Sequence, residues 1–405
     1  MKRTLSAAGL ALALVTVSIA MVMTASRLAF GYDVSGSVSA EGTVFPGDAL
    51  HSGQESRSGS LALAPEFYRE GENGSALIFA PFARLDATDD ERTHLDIREL
   101  HYRWVGKSWE FTAGVGKVFW GATEFLHLVD IVNQTDLVED IDGEDKLGQP
   151  MLHLALIREW GVLDLFALPF FRERTFPGPH GRPRPGLVVD TDQAVYESDD
   201  EEHHFDYALR YSNSIGPMDL GISYFNGTGR EPTLTPGTGN AGEPVLVPFY
   251  ELIDQAGLDL QVAAGQWLIK LEALRRAGQG EDYGALTGGF EYTFYGLAGT
   301  ASDLGLIVEW AYDDRGDTAT TPYENDVTAG VRLAFNDLSG SELLAGIVSD
   351  TKSSARIWSL EAGRRFGEKI RVTLEAYAFV AIPPDDPLYD LRNDDFLRLT
   401  IAAYF

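Results

Sequence analysis

The stretch DFLRLTIAAYF at residues 395–405 sets Leu397, Leu399, Ile401, Ala403 and Phe405 against Phe396, Arg398, Thr400, Ala402 and Tyr404. One face is apolar throughout and the other is mixed, a period of two that reads as a β-strand. The same alternation runs through IRVTLEAYAFV, where Ile370, Val372, Leu374, Ala376, Ala378 and Val380 oppose Arg371, Thr373, Glu375, Tyr377 and Phe379. In QWLIKLEAL, Trp267, Ile269, Leu271 and Ala273 oppose Lys270 and Glu272. Paired segments joined at Gly106–Lys107 and at Trp160–Gly161 read as hairpins. Between hairpins lie polar stretches near residues 45–57, 120–150, 174–202, 228–254, 314–325 and 382–393. Counting from Tyr32 gives about 18 strands, with about 16 as the alternative, and every long connection then falls on one side. The expected fold is all-β: a single transmembrane antiparallel β-barrel with short periplasmic turns and long extracellular loops. A sandwich or propeller also shows many short strands, but it does not gather its long loops at one end.

On a barrel the apolar face meets lipid and the charged face meets the lumen. The lumen set is then Glu99, Arg103, Glu110, Arg210, Lys270, Glu272, Glu291, Glu309, Arg332, Glu361, Arg365, Arg371, Glu375 and Arg398. Both signs occur, so ion pairs across strands that hydrate and stiffen the wall are expected. Trp104, Trp109, Trp160, Tyr292, Phe294, Tyr404 and Phe405 fall near periplasmic strand ends, where an interfacial girdle belongs. Tyr404 and Phe405 are also expected to act as the terminal signal for barrel assembly.

The beginning of the chain changes the setting. Lys2 and Arg3 precede an uncharged apolar run from Ala7 to Met23, and small residues follow at Thr24, Ala25 and Ser26. Residues 1–29 read as an export signal peptide, with a membrane anchor as the alternative, and residues 30–405 as one barrel domain. The chain has no cysteine, which excludes disulfide and thiolate chemistry. Its net charge of −29 disfavours nucleic acid as a partner. Hydrophobic content of 44% is too high for disorder.

The stretch FWGATEFLHLVDIVNQTDLVEDIDGEDKLGQP, residues 119–150, is too long for a turn, and Phe125, Leu126, Leu128, Val129, Ile131 and Val132 would not be left in water. It is expected to pack on the barrel rim or inside the lumen. Its acids, among them Glu124, Asp130, Asp136, Glu139, Asp140 and Asp142, together with Asn133, are the candidate constriction residues, and would favour cations. The run DIDGED at 140–145 also admits calcium or magnesium, but its spacing is not an EF-hand loop, so no metal and no cofactor is assigned. In ESDDEEHH, His203 and His204 are adjacent and are poor co-ligands on a strand.

With Trp120 and Gly121 followed by Asp130, Asn133 and Asp136, this stretch resembles the signature segment of a porin-like family of uncharacterised proteobacterial outer-membrane barrels. The resemblance implies an outer-membrane location and no particular substrate. The reading is a channel or facilitator for small or moderately sized solutes in the outer membrane of a Gram-negative bacterium. Its expected partners are membrane lipid and lipopolysaccharide, the barrel-assembly machinery and the solute. Two alternatives stand beside it: a plugged or structural barrel that assists export of a lipid or polymer with a periplasmic partner, and a surface hydrolase. The chain has no Gly-x-Ser-x-Gly elbow, so the expectation is that it is not an enzyme.

Overall fold

The computed structural model describes residues 31–405, and the signal-peptide reading of residues 1–29 lies outside the described residues. The first strands are β1 Asp33–Val44, β2 Arg57–Glu70, β3 Ala76–Asp86, β4 His94–Val105, β5 Trp109–Gly116, β6 Gln149–Arg158 and β7 Gly161–Leu168. There follow β8 Val195–Tyr196, β9 Asp206–Ile215, β10 Met218–Thr228, β11 Thr233–Thr238, β12 Pro244–Tyr250, β13 Leu252–Ala264 and β14 Trp267–Ala277. The last are β15 Tyr283–Phe294, β16 Asp303–Asp313, β17 Asn325–Ala334, β18 Glu342–Asp350, β19 Arg356–Phe366, β20 Ile370–Val380 and β21 Phe396–Tyr404. All but β8, β11 and β12 belong to one 18-stranded sheet. β1 pairs antiparallel with β21 from Ser37–Tyr404 to Val44–Leu397, which closes the sheet into a barrel. The fold is all-β, as the alternation predicts, with no α-helix among the described residues.

Connections at one end are brief, such as 106–108, 159–160, 216–217 and 265–266; the segments 117–148, 169–205, 229–251 and 381–395 all lie at the other. Segments 169–205 and 229–251 share the small β8–β12–β11 sheet outside the barrel.

Outside, Leu397, Leu399, Ile401, Trp267 and Ile269 are exposed, while their strand neighbours Arg398, Lys270 and Glu272 are buried inside. Exposed rings rim both ends: Trp104, Trp109, Trp160, Phe294 and Tyr404 at the short turns, and Tyr207, Trp310, Tyr312 and Trp358 near the long loops. An apolar belt between two aromatic rims matches hydrocarbon between two interfaces. The terminal Phe405 exchanges backbone hydrogen bonds with Gly36 of β1, at 3.0 and 3.2 Å, and so finishes the closing ladder.

One strand breaks the alternation. Pro81 cannot donate a ladder hydrogen bond, and between Ala80 and Pro81 the β3–β4 register slips, pairing Ala80 with Glu99 and Pro81 with Ile97. Arg98 is the extra residue. The bulge lets Asp96 and Arg98 face the lumen along with Glu99, His101 and Arg103.

Candidate functional site

After β5 the chain does not turn straight into β6. Residues 117–148 enter the barrel, and their apolar side chains account for the route. Val129, Ile131 and Val132 are buried with Trp120 against Met151 of β6, Phe166 and Leu168 of β7, Ala208 of β9, Phe225 of β10 and Ile253 of β13. Full burial of one such side chain is worth about 1.5–3 kcal/mol. Trp120 meets Phe166 edge-on at 5.7 Å and lies 5.6 Å from the Arg210 guanidinium. On the opposite wall the Phe125 ring lies over Gly330 of β17 and Gly346 of β18, where an added Cβ would come within 2.9 and 3.0 Å of it. The segment therefore crosses the lumen from the β6–β13 wall to the β17–β18 wall.

A backbone that leaves a sheet needs new hydrogen-bond partners. Two wall carboxylates supply them. Glu272 of β14 accepts from the backbone N–H groups of Ala122, Thr123 and Val129 at 2.7, 3.0 and 3.2 Å, and from the Thr123 hydroxyl at 2.6 Å. Glu309 of β16 accepts from the N–H groups of Glu124 and Phe125 at 2.8 and 3.2 Å. Gly121 passes so close that a Cβ there would meet Glu272 Oε1 at 3.1 Å. Asn133 pins the root of the segment: its amide donates to the carbonyls of Gly116 and Leu147 and its oxygen accepts from the Val118 N–H.

The acids singled out by sequence are mostly compensated. Glu124 meets Lys270 at 3.2 Å and Arg332 at 2.5 Å, and Asp130 meets Lys146 at 3.2 Å. Asp136 is gripped by Arg98 at 2.6 Å, Glu139 by Arg84 at 2.6 Å and Asp140 by Arg398. Arg84 and Arg98 were not among the lumen residues expected from sequence; Arg98 was hidden by the bulge, and mid-strand Pro81 was the signal that could have revealed it. Other wall charges also pair: Arg210 with Asp259 at 2.7 Å, Arg371 with Glu342 at 2.5 Å, Arg332 with Glu291 at 3.7 Å, Glu375 with Arg398 at 3.6 Å and Glu99 with His101 at 3.6 Å, whereas Glu361 has no cation within 4.0 Å among the described residues. Arg103 on β4 and Glu110 on β5 are the strand neighbours of the exposed Trp104 and Trp109.

The one group of three possible ligands among the described residues is His94, Asp136 and Glu139, and Arg98 and Arg84 already hold its carboxylates. His204 bonds Asp206 at 2.8 Å, while His203 is exposed on a short turn.

Three acids of the inner segment have no cationic partner. Asp142 and Glu144 project into a cavity of about 410 Å³, with Asp145 beside them. Desolvation inside the barrel and the nearby Asp140 carboxylate push Asp142 up to about 8. Desolvation and then Glu139 push Asp145 up to about 6. The cavity lies between the inner segment and the walls of β14–β16 and β18–β20, reaching from Thr321, Tyr323 and Leu388 in the long loops to Leu274, Arg276, Leu344, Ser359, Glu361 and Glu375 on the strands.

Segment 169–205 forms a cap tied to the loops after β1, β3 and β20. Arg182 bonds Asp394 at 2.6 Å and the carbonyls of Gly47 and Asn393, while Asp89 and Asp390 accept from the N–H groups of Gly178 and Gly186.

This combination defines a closed 18-stranded barrel with an inner segment across its lumen. Among solved structures it is similar to Wzi, an outer membrane protein involved in group 1 capsule assembly in Escherichia coli and described as a carbohydrate-binding β-barrel. That likeness has a TM-score of 0.54 at 12% identity, over 96% of this chain and 87% of that one, and it is a likeness of fold. A triple mutant of the Rh. blastica porin aligns with a TM-score of 0.45 at 12% identity, over 92% of this chain and all of that one. No family model and no curated protein matches the chain, so the resemblance seen around Trp120–Asp136 rests on those residues alone.

Proposed function

We propose that this chain is an outer-membrane channel of a Gram-negative cell, passing small polar solutes between its inner segment and the β18–β20 wall. The observation that carries the reading is the cavity of about 410 Å³ along that wall. The apolar belt and its two aromatic rims support the membrane setting, with lipid and the assembly machinery as partners. Selectivity resides in acids that lack a cationic partner, Glu144 and Glu361 and, above about pH 8, Asp142, because a carboxylate in a confined space is poorly screened and favours cations. Glu124, Asp130 and Asp136 hold the segment in place instead. In planar bilayers, the reversal potential in a salt gradient should show cation preference for the wild type. A variant combining Asp142→Asn, Glu144→Gln and Glu361→Gln should lose most of it. An unchanged potential would remove this selectivity mechanism, and folded protein without current would remove the channel reading.

The cap tied to the loops after β1, β3 and β20 favours a second reading, a closed barrel that helps export a polymer with a periplasmic partner. The description of Wzi as carbohydrate-binding suits it. Polymer retention by a folded but non-conducting barrel would select it.

A further inference from the structure

Most arginines inside this acidic barrel have a carboxylate of their own. Of those lining the cavity, Arg230 is paired with Asp206 at 2.9 Å and Arg315 with Asp313 at 2.7 Å. Arg174 and Arg276 differ. Arg174 has no carboxylate within 4.0 Å among the described residues, and its side chain makes one hydrogen bond, from Nε to the Gln134 amide oxygen at 3.3 Å. Its two Nη atoms, which form the prongs of the fork, have no partner among the described residues.

Arg276 is oriented by neutral amides: Nε and Nη2 donate to Gln255 Oε1 at 2.9 and 2.7 Å, and Nη1 donates to Gln279 Oε1 at 3.1 Å. Amides fix a guanidinium without cancelling its charge. The nearest carboxylate, Glu231, stands 3.8 Å away and is shared, since it also acts on Arg174. The two guanidinium groups repel one another. A pair of like charges with one acid between them, facing open space, is matched by an oxyanion, which a guanidinium fork binds through two parallel hydrogen bonds.

We propose that Arg174 and Arg276 form an oxyanion subsite in the cavity, taking the carboxylate or phosphate group of a small solute. The volume of about 410 Å³ falls within the roughly 300–1,000 Å³ usual for small-molecule sites. Asp142, Glu144 and Glu361 line the same cavity, so a solute carrying both signs would find partners for each there. The subsite deepens the permeation reading, but binding is measured without current; a barrel that binds and does not conduct would sink only that reading.

The test is titration calorimetry on the full chain in detergent, with glucuronate, inorganic phosphate and, as uncharged control, glucose. Saturable binding of glucuronate or of phosphate is expected, and which of the two binds tells carboxylate from phosphate. Arg174→Gln should weaken it at least about tenfold, the loss of one charged hydrogen bond. Arg174→Lys should lose less, and Arg364→Gln, on the exposed rim, should lose nothing. Heat-modifiable gel mobility verifies that each variant is folded. Absence of saturable anion binding, glucose binding as tight as glucuronate binding, or full affinity in folded Arg174→Gln would each overturn the subsite.

Discussion

At the scale of single residues, wall and inner segment are joined by charges whose cost lies in separation. The Asp136 side chain is wholly buried and depends on Arg98 at 2.6 Å. Removing one partner of a buried pair costs about 3–5 kcal/mol, because the other charge is left uncompensated. Arg98→Gln should therefore destabilise the barrel by about that amount in urea unfolding from lipid vesicles, and Asp136→Asn made together with it should recover part of the loss. Asp142 makes a different prediction. A carboxyl raised to about 8 is largely neutral at pH 6 and charged at pH 9, so cation preference should rise across that interval and rise less in Asp142→Asn, where Asp145 at about 6 still titrates, as read by reversal potential. The sign for stability is the opposite. Folding takes up a proton at this residue between its ordinary 3.8 and about 8, so its contribution to stability declines as pH rises through that window.

At the scale of elements, the inner segment decides what the lumen can do. Excising residues 122–147 and joining the ends with a Gly-Ser linker should raise single-channel conductance, since the segment bridges the β6–β13 and β17–β18 walls. Conductance equal to wild type would mean that the segment does not obstruct the path. Its packing was half legible in the chain: the apolar run from Phe125 to Val132 demands burial, yet nothing local tells Glu272 and Glu309, which bracket the segment, from Glu361, which faces open space. Choice of partner across a barrel is a long-range property. Strands β14, β20 and β21 were legible down to the facing of each side chain, because two unlike surroundings impose a strict period of two. β4 was not, because the bulge opposite Pro81 adds a residue and shifts that period.

At the scale of the whole molecule, the barrel is divided along its axis. One half is filled by the apolar packing around Trp120; the other keeps the cavity beside β18–β20, which the proposed function takes as the passage. A chain without cysteine allows that division to be probed directly. Ser359 lines the passage, whereas Met151 is buried in the packed half. The decisive measurement is current through single barrels of Ser359→Cys and Met151→Cys while a water-soluble methanethiosulfonate reagent is added. The passage predicts a stepwise, thiol-reversible fall in current for Ser359→Cys and none for Met151→Cys; an unaffected Ser359→Cys, or block at Met151→Cys instead, would contradict it.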